Sequence, residues 1–263
     1  MSPQPNKRLL SLDVFRGITV AAMILVNNPG DWGNIYAPLK HAEWNGCTPT
    51  DLIFPFFLFI VGVSIVFALD STKSDINNHP KLIKSVLLRS LKLFSLGLIL
   101  SLFPYFDFST VRIPGVLQRI AVVYLVASLL FIKLKPKSII QIFALILIGY
   151  WLIMSLVPVP GIGDANLGKD TNLGAWLDRA LLTEAHLWKS AKTWDPEGIL
   201  STLPTIVNGI IGLLIGQILL YSVTKIQKAQ QMGIIGTVLI FFGLIWDLVF
   251  PINKSLWTSS YVL

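Results

Sequence analysis

The chain has few cysteines, few histidines and few charged residues, and each scarcity argues against a class of protein. Its single cysteine, Cys47, excludes an intrachain disulfide and a multi-cysteine metal site. The three histidines, His41, His79 and His186, are too far apart for a zinc motif, so we expect no metal. Only 13% of the 263 residues are charged, whereas soluble domains contain about 25%. This composition argues against a soluble protein.

The chain contains several long apolar runs. A helix needs about 20 apolar residues to cross a bilayer. Segments that reach or approach this length cover residues 12–26, 52–69, 86–106, 113–132, 138–157, 199–223 and 232–250. An eighth begins near Leu256 and stops at Leu263, so we expect it to be incomplete. We therefore predict an all-α, polytopic helical bundle that forms one integral membrane domain over residues 1–263, without a cleavable signal peptide.

The charged residues divide the loops into two sets. One set is short and basic, with Lys7, Arg8, Lys73, Lys81, Lys84, Lys133, Lys135, Lys137, Lys225 and Lys228. The positive-inside rule places this set and the N-terminus in the cytoplasm. The rule also explains the net charge of +7 without a nucleic acid partner, although an inner basic face could attract a nucleotide cofactor. The other set is rich in carboxylates, which would attract a cation such as an amino sugar.

The longest connection, residues 158–198, is too polar to cross a membrane. Apolar residues recur at near-helical spacing in its middle, between residues 174 and 188. This pattern predicts a short amphipathic helix that lies on the outer surface.

Several charged or polar residues interrupt the apolar segments. Asp13 and Arg16 lie three residues apart, so they share a helix face and can form an ion pair. Either this pair is structural or Arg16 faces phosphates, since charges at membrane depth tend to mark function. Arg119, which follows Gln118 at the start of a segment, is either a snorkelling side chain or a cofactor ligand.

A polar loop between the first two segments contains the best catalytic candidate. A histidine imidazole is the usual general base near neutral pH, so His41 could serve as one, unless it is only a surface histidine. Asp51 could orient His41 or stabilise the first turn of the next helix, and Asn27 ends the preceding segment. Cys47 is close enough to suggest a cysteine–histidine nucleophile, but a packing cysteine is the more common role.

A second polar cluster lies just before residue 199. A tryptophan can stack on a sugar ring while carboxylates hold its ammonium, which suits Trp194, Asp195 and Glu197 to an amino sugar. The alternative is a helix cap, with Pro196 at the first helical position. Gly209, Gly212 and Gly216 fit close helix packing.

Five stretches resemble known sequences. Residues 11–17 (SLDVFRG) are similar to the first-helix signature of membrane acyltransferases. Four more stretches resemble the heparan-α-glucosaminide N-acetyltransferase family, including its bacterial transmembrane glucosamine N-acetyltransferases. These are HAEWNG at 41–46 with DLIFP at 51–55, GVLQR at 115–119, DPEGIL at 195–200 and PINKSLW at 251–257.

The resemblance implies acetyl transfer from cytosolic acetyl-CoA to the amine of a glucosamine on the far side of the membrane. It implies a catalytic role for His41 and Asn27, beside which we place Asp51. We assign Asp13, Arg16, Gln118 and Arg119 to acetyl-CoA, and Trp194, Asp195, Glu197, Asn253 and Lys254 to the sugar. Family members carry further helices, so we expect this bundle to be C-terminally incomplete. We also expect a bacterial inner-membrane location and allow for a homodimer.

Two other functions stay open at this point. One is O-acylation of an exported glycan, which would share the Asp13–Arg16 signature but not the match near Trp194. The other is a membrane transporter, which would favour an internal repeat, and the sequence shows none. The mechanism is also open between direct transfer with His41 as base and an acetyl-histidine intermediate.

Overall fold

The computed structural model describes residues 9–221 and 224–263, and within these ranges the chain is helical with no β-strand. Lys7, Arg8 and Val223, which the sequence interpretation used, lie outside the described residues. The helices are α1 (Leu10–Asn27), α2 (Ile53–Lys73), α3 (His79–Leu102), α4 (Val116–Lys133), α5 (Pro136–Leu156), α6 (Leu173–Leu182), α7 (Thr202–Tyr221), α8 (Lys225–Asp247) and α9 (Ser259–Val262).

Among the described residues, seven helices are long and apolar enough to cross a membrane, namely all except α6 and α9. The predicted all-α membrane bundle is therefore confirmed. Two helices, α3 and α8, begin about two turns earlier than predicted, because their first turns are polar and hydropathy does not detect them. Pro80 occupies the first turn of α3, and the Thr224 side chain accepts a hydrogen bond from the Gln227 N–H at the start of α8.

Helices α2 and α7 form the tightest pair in the bundle. A Cβ atom built on Gly62 of α2 would lie 2.1 Å from the Gly209 carbonyl oxygen, and one on Gly212 would lie 2.2 Å from the Phe59 carbonyl oxygen. Small residues at such an interface allow two backbones to meet, which is how membrane helices gain packing energy. The glycine spacing in α7 thus has the packing role that the sequence favoured.

This contact predicts a stability difference between two glycines. We expect Gly212→Ala to destabilise the bundle by about 1–3 kcal/mol, because the added methyl group overlaps the α2 backbone. Gly149→Ala in α5 is the matched control, since its Cβ would meet nothing within 4 Å. The measurement is thermal unfolding of the purified variants in detergent. Equal unfolding temperatures for the two variants would contradict the close α2–α7 contact.

The connections on one side of the bundle fold together into a compact cap, which we call the site end. The Ile113 N–H donates to the His186 carbonyl over 3.0 Å, and the Gly46 N–H donates to the Ile252 carbonyl over 2.7 Å. Trp44 Nε1 donates to the Leu167 carbonyl over 3.0 Å. At the opposite, basic end, two lysines bind carbonyls instead. Lys73 Nζ donates to the Phe131 carbonyl, and Lys228 Nζ donates to the Leu219 carbonyl.

The predicted amphipathic helix of the long connection is α6, which ends at Leu182 rather than near residue 188. It stops because Thr183 adopts a positive φ of 61°. Its start is capped by the Asn172 side chain, which accepts the Ala175 N–H. On its buried side, Asp178 accepts the Ile199 N–H over 2.8 Å. Burial raises the pKa of Asp178 to about 6, and this hydrogen bond partly opposes the shift.

Candidate active site

His41 and Asp51 form a close pair at the site end. His41 Nδ1 lies 2.6 Å from Asp51 Oδ1, and Asp51 Oδ2 accepts the backbone N–H groups of Ala42 and Thr48. The Asp51 side chain is fully buried, whereas half of the His41 side chain is accessible. An ionised carboxylate at Nδ1 selects the imidazole tautomer that carries its proton there. The other ring nitrogen, Nε2, is then left with a lone pair that can accept a proton.

Asp51 combines the two roles that the sequence left open. It belongs to a short 3-10 helix, Pro49–Leu52, and its carboxylate accepts the backbone N–H of Thr48, the residue that caps this helix. The same carboxylate orients His41, because its Oδ1 contacts the imidazole while its Oδ2 accepts the backbone N–H groups. A capping residue is fixed by its local turn. The Asp51 carboxylate therefore holds the imidazole at a defined position relative to the start of α2.

The pair borders a cavity of about 300 Å³ between the site end and helices α1, α2 and α4. Its polar wall consists of Asn27, His41, Thr50, Asp51, Glu197 and Lys254. Its apolar wall includes Met23, Phe54, Phe57, Leu117 and Ile120. A few convergent polar groups in a mainly apolar cleft are typical of small-molecule sites. Five of the twelve predicted site residues therefore meet in one cavity: Asn27, His41, Asp51, Glu197 and Lys254.

Sequence reasoning missed Arg112, which organises the predicted sugar carboxylates. Its Nε donates to Asp195 Oδ2 over 2.9 Å, and its Nη2 donates to Asp195 Oδ1 and to Glu197 Oε2. Desolvation lowers the pKa of Arg112, but the two carboxylates outweigh it and raise the pKa. Asp195 is buried behind this bidentate pair, whereas Glu197 also borders the cavity. Only Glu197 is thus placed to meet a ligand.

Trp194 has little free ring surface for a sugar. It is 8% exposed, and its ring meets Trp44 edge to face at 5.2 Å and Trp188 at 5.8 Å between centroids. Lys169 Nζ lies 5.6 Å from the same ring. The helix-cap alternative also fails as stated, because α7 begins at Thr202, six residues beyond Pro196. The assignment of Trp194 to the sugar stays a prediction, with a packing role better supported by these contacts.

Arg119 lies at the site end, fully buried beneath the cavity. Its Nη2 donates to the Gly198 carbonyl over 3.0 Å and also to the Ser201 hydroxyl. Its guanidinium carbon lies 5.2 Å from the centre of the Trp257 ring. It therefore does not snorkel, and its role toward acetyl-CoA stays a prediction. The neighbouring Gln118 is also buried, with its Oε1 directed toward the backbone of Gly97.

Asp13 and Arg16 lie nearer the other end of α1. Arg16 Nη1 is 3.5 Å from Asp13 Oδ1, and Arg16 Nη2 donates to the Ser64 hydroxyl of α2 over 3.2 Å. Both charged side chains are 44% exposed, so neither is committed to the core. Arg16 precedes Asn27 by eleven residues on the same helix, which corresponds to about 16 Å along its axis.

The remaining candidates have structural explanations. Asn253 is buried, with Nδ2 donating to Asn45 Oδ1 and its own Oδ1 accepting the Leu256 N–H. It anchors the loop that carries Lys254. Cys47 is a poor nucleophile, because partial desolvation and the Asp51 carboxylate raise the pKa of its thiol to about 11. Within residues 9–221 and 224–263, no three His, Cys, Asp or Glu side chains cluster as metal ligands would.

A larger groove of about 760 Å³ lies between α5, α7 and α8. Its wall is mainly aliphatic, and its polar members are Gln217, Tyr221, Gln227 and Gln231. Among the described residues its wall contains no carboxylate, histidine or lysine, and its one titratable side chain, Tyr221, donates its hydroxyl hydrogen to Asp70. The smaller cavity at His41 is therefore the candidate active site.

A polytopic helical bundle with a histidine–carboxylate pair at the mouth of an intramembrane cleft defines a class of membrane enzyme. The family described as "Heparan-alpha-glucosaminide N-acetyltransferase, catalytic" matches residues 8–244 of the chain, and the chain belongs to that family. It is 33% identical to the heparan-alpha-glucosaminide N-acetyltransferase of Homo sapiens, over 97% of this chain and 46% of the human protein. Identity to the Mus musculus protein of the same name is 31%, over 97% of this chain and 46% of that protein. The chain thus spans about half the length of these relatives.

Proposed function

We propose that this chain transfers an acetyl group from acetyl-CoA to the amine of a glucosamine-type sugar. The observation that carries the proposal is the His41–Asp51 pair, 2.6 Å apart, at the wall of the cavity. Membership of the family supports the reaction type and the amino-sugar acceptor. The relatives' names give a glucosaminide of heparan as their acceptor. For this chain we propose only the amine of a glucosamine-type sugar.

The proposed chemistry uses the neutral amine, because an ammonium has no lone pair to attack a thioester. The ammonium that Glu197 attracts therefore loses its first proton to solvent before the attack. The amine nitrogen adds to the acetyl carbon while its proton passes to His41 Nε2. The amide of Asn27, on the same cavity wall, donates a hydrogen bond to the oxygen on which negative charge develops. Collapse of the adduct breaks the carbon–sulfur bond, and the CoA thiolate takes the proton from His41. Asp51 stabilises the imidazolium that exists between these two proton transfers.

We propose that the donor reaches the cavity from the basic end, which we place in the cytoplasm by the positive-inside rule. Arg16 lies on this route, with a half-exposed guanidinium about three turns of α1 from Asn27. An extended phosphopantetheine arm covers a similar length. The acceptor would then bind from the site end, where Glu197 offers a carboxylate to the sugar ammonium. For a bacterial chain this arrangement means the inner membrane.

The direct test is acetylation by the purified protein in detergent or nanodiscs. With acetyl-CoA and glucosamine, we expect N-acetylglucosamine and free CoA in equal amounts. Hydroxylamine treatment distinguishes N-acetylation from the O-acylation alternative, because it cleaves O-acetyl esters and leaves amides intact. An ester product would contradict the proposal and favour the O-acyltransferase. Absence of CoA release, together with sugar uptake by the protein reconstituted in closed vesicles, would favour the transporter.

A second experiment tests Arg16 as a donor-binding residue. We expect Arg16→Ala to raise the KM for acetyl-CoA about ten- to a hundredfold, since a hydrogen bond to a charged group is worth about 1.5–3 kcal/mol. The KM for glucosamine should not change. Ser64→Ala is the matched control, because it removes the Arg16 partner on α2 but keeps the guanidinium and its contact with Asp13. Equal changes in both KM values would instead support a purely structural pair.

A further inference from the structure

Lys254 is a partly buried cation on a well-anchored loop. Two bonds just before the residue tie this loop to the His41 loop, namely the Gly46 N–H to Ile252 carbonyl bond of 2.7 Å and the Asn253–Asn45 side-chain bond of 3.1 Å. The lysine side chain borders the same cavity as His41 and Asn27. In the described part of the chain, no hydrogen bond or ion pair engages its ammonium.

The nearby carboxylates do not neutralise Lys254 because they are already bound. Asp51 accepts from His41, Ala42 and Thr48, and Glu197 accepts from Arg112. Both still act on Lys254 at longer range. Burial lowers its pKa, while Glu197 and Asp51 oppose that change. An unpaired cation that is partly removed from water is costly. Its presence at the cavity wall indicates a negative partner that comes with the ligand or forms during the reaction.

The position of Lys254 favours a partner that forms during the reaction. The ammonium shares its cavity with His41 and Asn27, which the proposed reaction assigns to proton transfer and to the acetyl oxygen. Addition of the amine to the thioester creates an oxyanion on that oxygen together with a proton on His41. The negative partner of Lys254 therefore forms and disappears with the reaction.

We propose that Lys254 is an oxyanion-stabilising catalytic residue, whose ammonium binds the acetyl oxygen alongside the Asn27 amide. The inference rests on the proposed acetyl transfer. When the amine nitrogen adds to the thioester carbon, the carbonyl π electrons move to the oxygen facing Lys254. They return when the carbon–sulfur bond breaks and the thiolate leaves. Lys254 keeps all its protons throughout, and His41 alone moves one.

The test compares Lys254→Met with Lys254→Gln in steady-state acetylation. We expect Lys254→Met to lower kcat about 10²–10³-fold, the usual effect of losing an oxyanion donor, with little change in either KM. Lys254→Gln should lose less, because its amide can still donate. Lys189→Met, which removes an exposed lysine of the long connection, is the control for a general loss of positive charge.

Each variant is measured with glucosamine and with glucosamine 6-sulfate, and its unfolding temperature in detergent is recorded. Equal kcat losses on both sugars at an unchanged unfolding temperature support the inference. A loss confined to the sulfated sugar would overturn it and assign Lys254 to an acceptor anion. Retained kcat, or equal losses in the Met and Gln variants with lowered unfolding temperatures, would overturn it as well. Wild-type protein that acetylates neither sugar would instead refute the proposed function itself.

Discussion

Replacement of His41 by alanine is expected to lower acetyl transfer by about 10²–10⁴-fold, the usual contribution of a general base. The fold should survive, because half of this side chain is accessible and Asp51 keeps its bonds to the Ala42 and Thr48 N–H groups. The measurements are acetylation rate and thermal unfolding on the same preparation. Near-normal activity in a folded variant would remove His41 from the mechanism.

His79→Ala is the matched control for the loss of an imidazole. His79 lies at the basic end, where its Nε2 is 2.9 Å from the Lys73 carbonyl, far along the chain from the cavity residues. It should therefore retain acetyl transfer. Incubation of wild type with labelled acetyl-CoA alone adds a distinction between mechanisms. A labelled protein that then acetylates glucosamine would favour an acetyl-histidine intermediate over direct transfer.

Replacement of Arg112 by methionine should produce the largest loss of stability, about 3–5 kcal/mol, because it leaves two carboxylates desolvated without their counter-ion. The Asp195 side chain is fully buried and that of Glu197 is 8% exposed. Acetylation should also fall, since Glu197 borders the cavity. The measurement is the unfolding temperature in detergent, followed by the acceptor dependence of the rate.

A rescue variant distinguishes charge from packing at Arg112. Addition of Asp195→Asn and Glu197→Gln to Arg112→Met removes the repelling carboxylates and should restore much of the lost stability. Acceptor affinity should stay weak, because the ammonium would still lack its Glu197 partner. If the triple variant is as unstable as Arg112→Met, the contribution of Arg112 is packing by its aliphatic stem.

Much of the bundle follows directly from hydropathy, because each long apolar run must be helical to satisfy its backbone in lipid. The ends of helices follow less well. Helix α3 was predicted to reach residue 106 but ends at Leu102, just before Phe103 and Pro104, since a residue preceding proline avoids the helical region. The start of α8 at Lys225 depends on a cap by Thr224, which hydropathy does not detect.

The site was predictable where its parts are close in sequence. His41 and Asp51 are ten residues apart, and their pairing was among the alternatives considered. Arg112 was missed because its partner Asp195 is 83 residues away, and spacing carries no signal at that distance. The one available clue was an arginine in a connection on the carboxylate-rich side. Trp194 is the converse case, a residue that the sequence favoured more than the structure does. A tryptophan beside carboxylates suggests sugar stacking, but Trp44 and Trp188 pack against its ring.

The loop that carries His41 depends on residues synthesised much later. Asn45 binds Asn253, 208 positions further on, and the Asp51 carbonyl accepts from the Tyr261 hydroxyl, 210 positions further on. Synthesis delivers the N-terminal helices to the membrane first, so the imidazole and its carboxylate exist for some time without these supports. The complete setting of the His41–Asp51 pair therefore requires synthesis at least as far as Tyr261. A ribosome-bound intermediate that ends before Asn253 would already hold Asn27, His41 and Asp51, and we expect it to be inert toward acetyl-CoA.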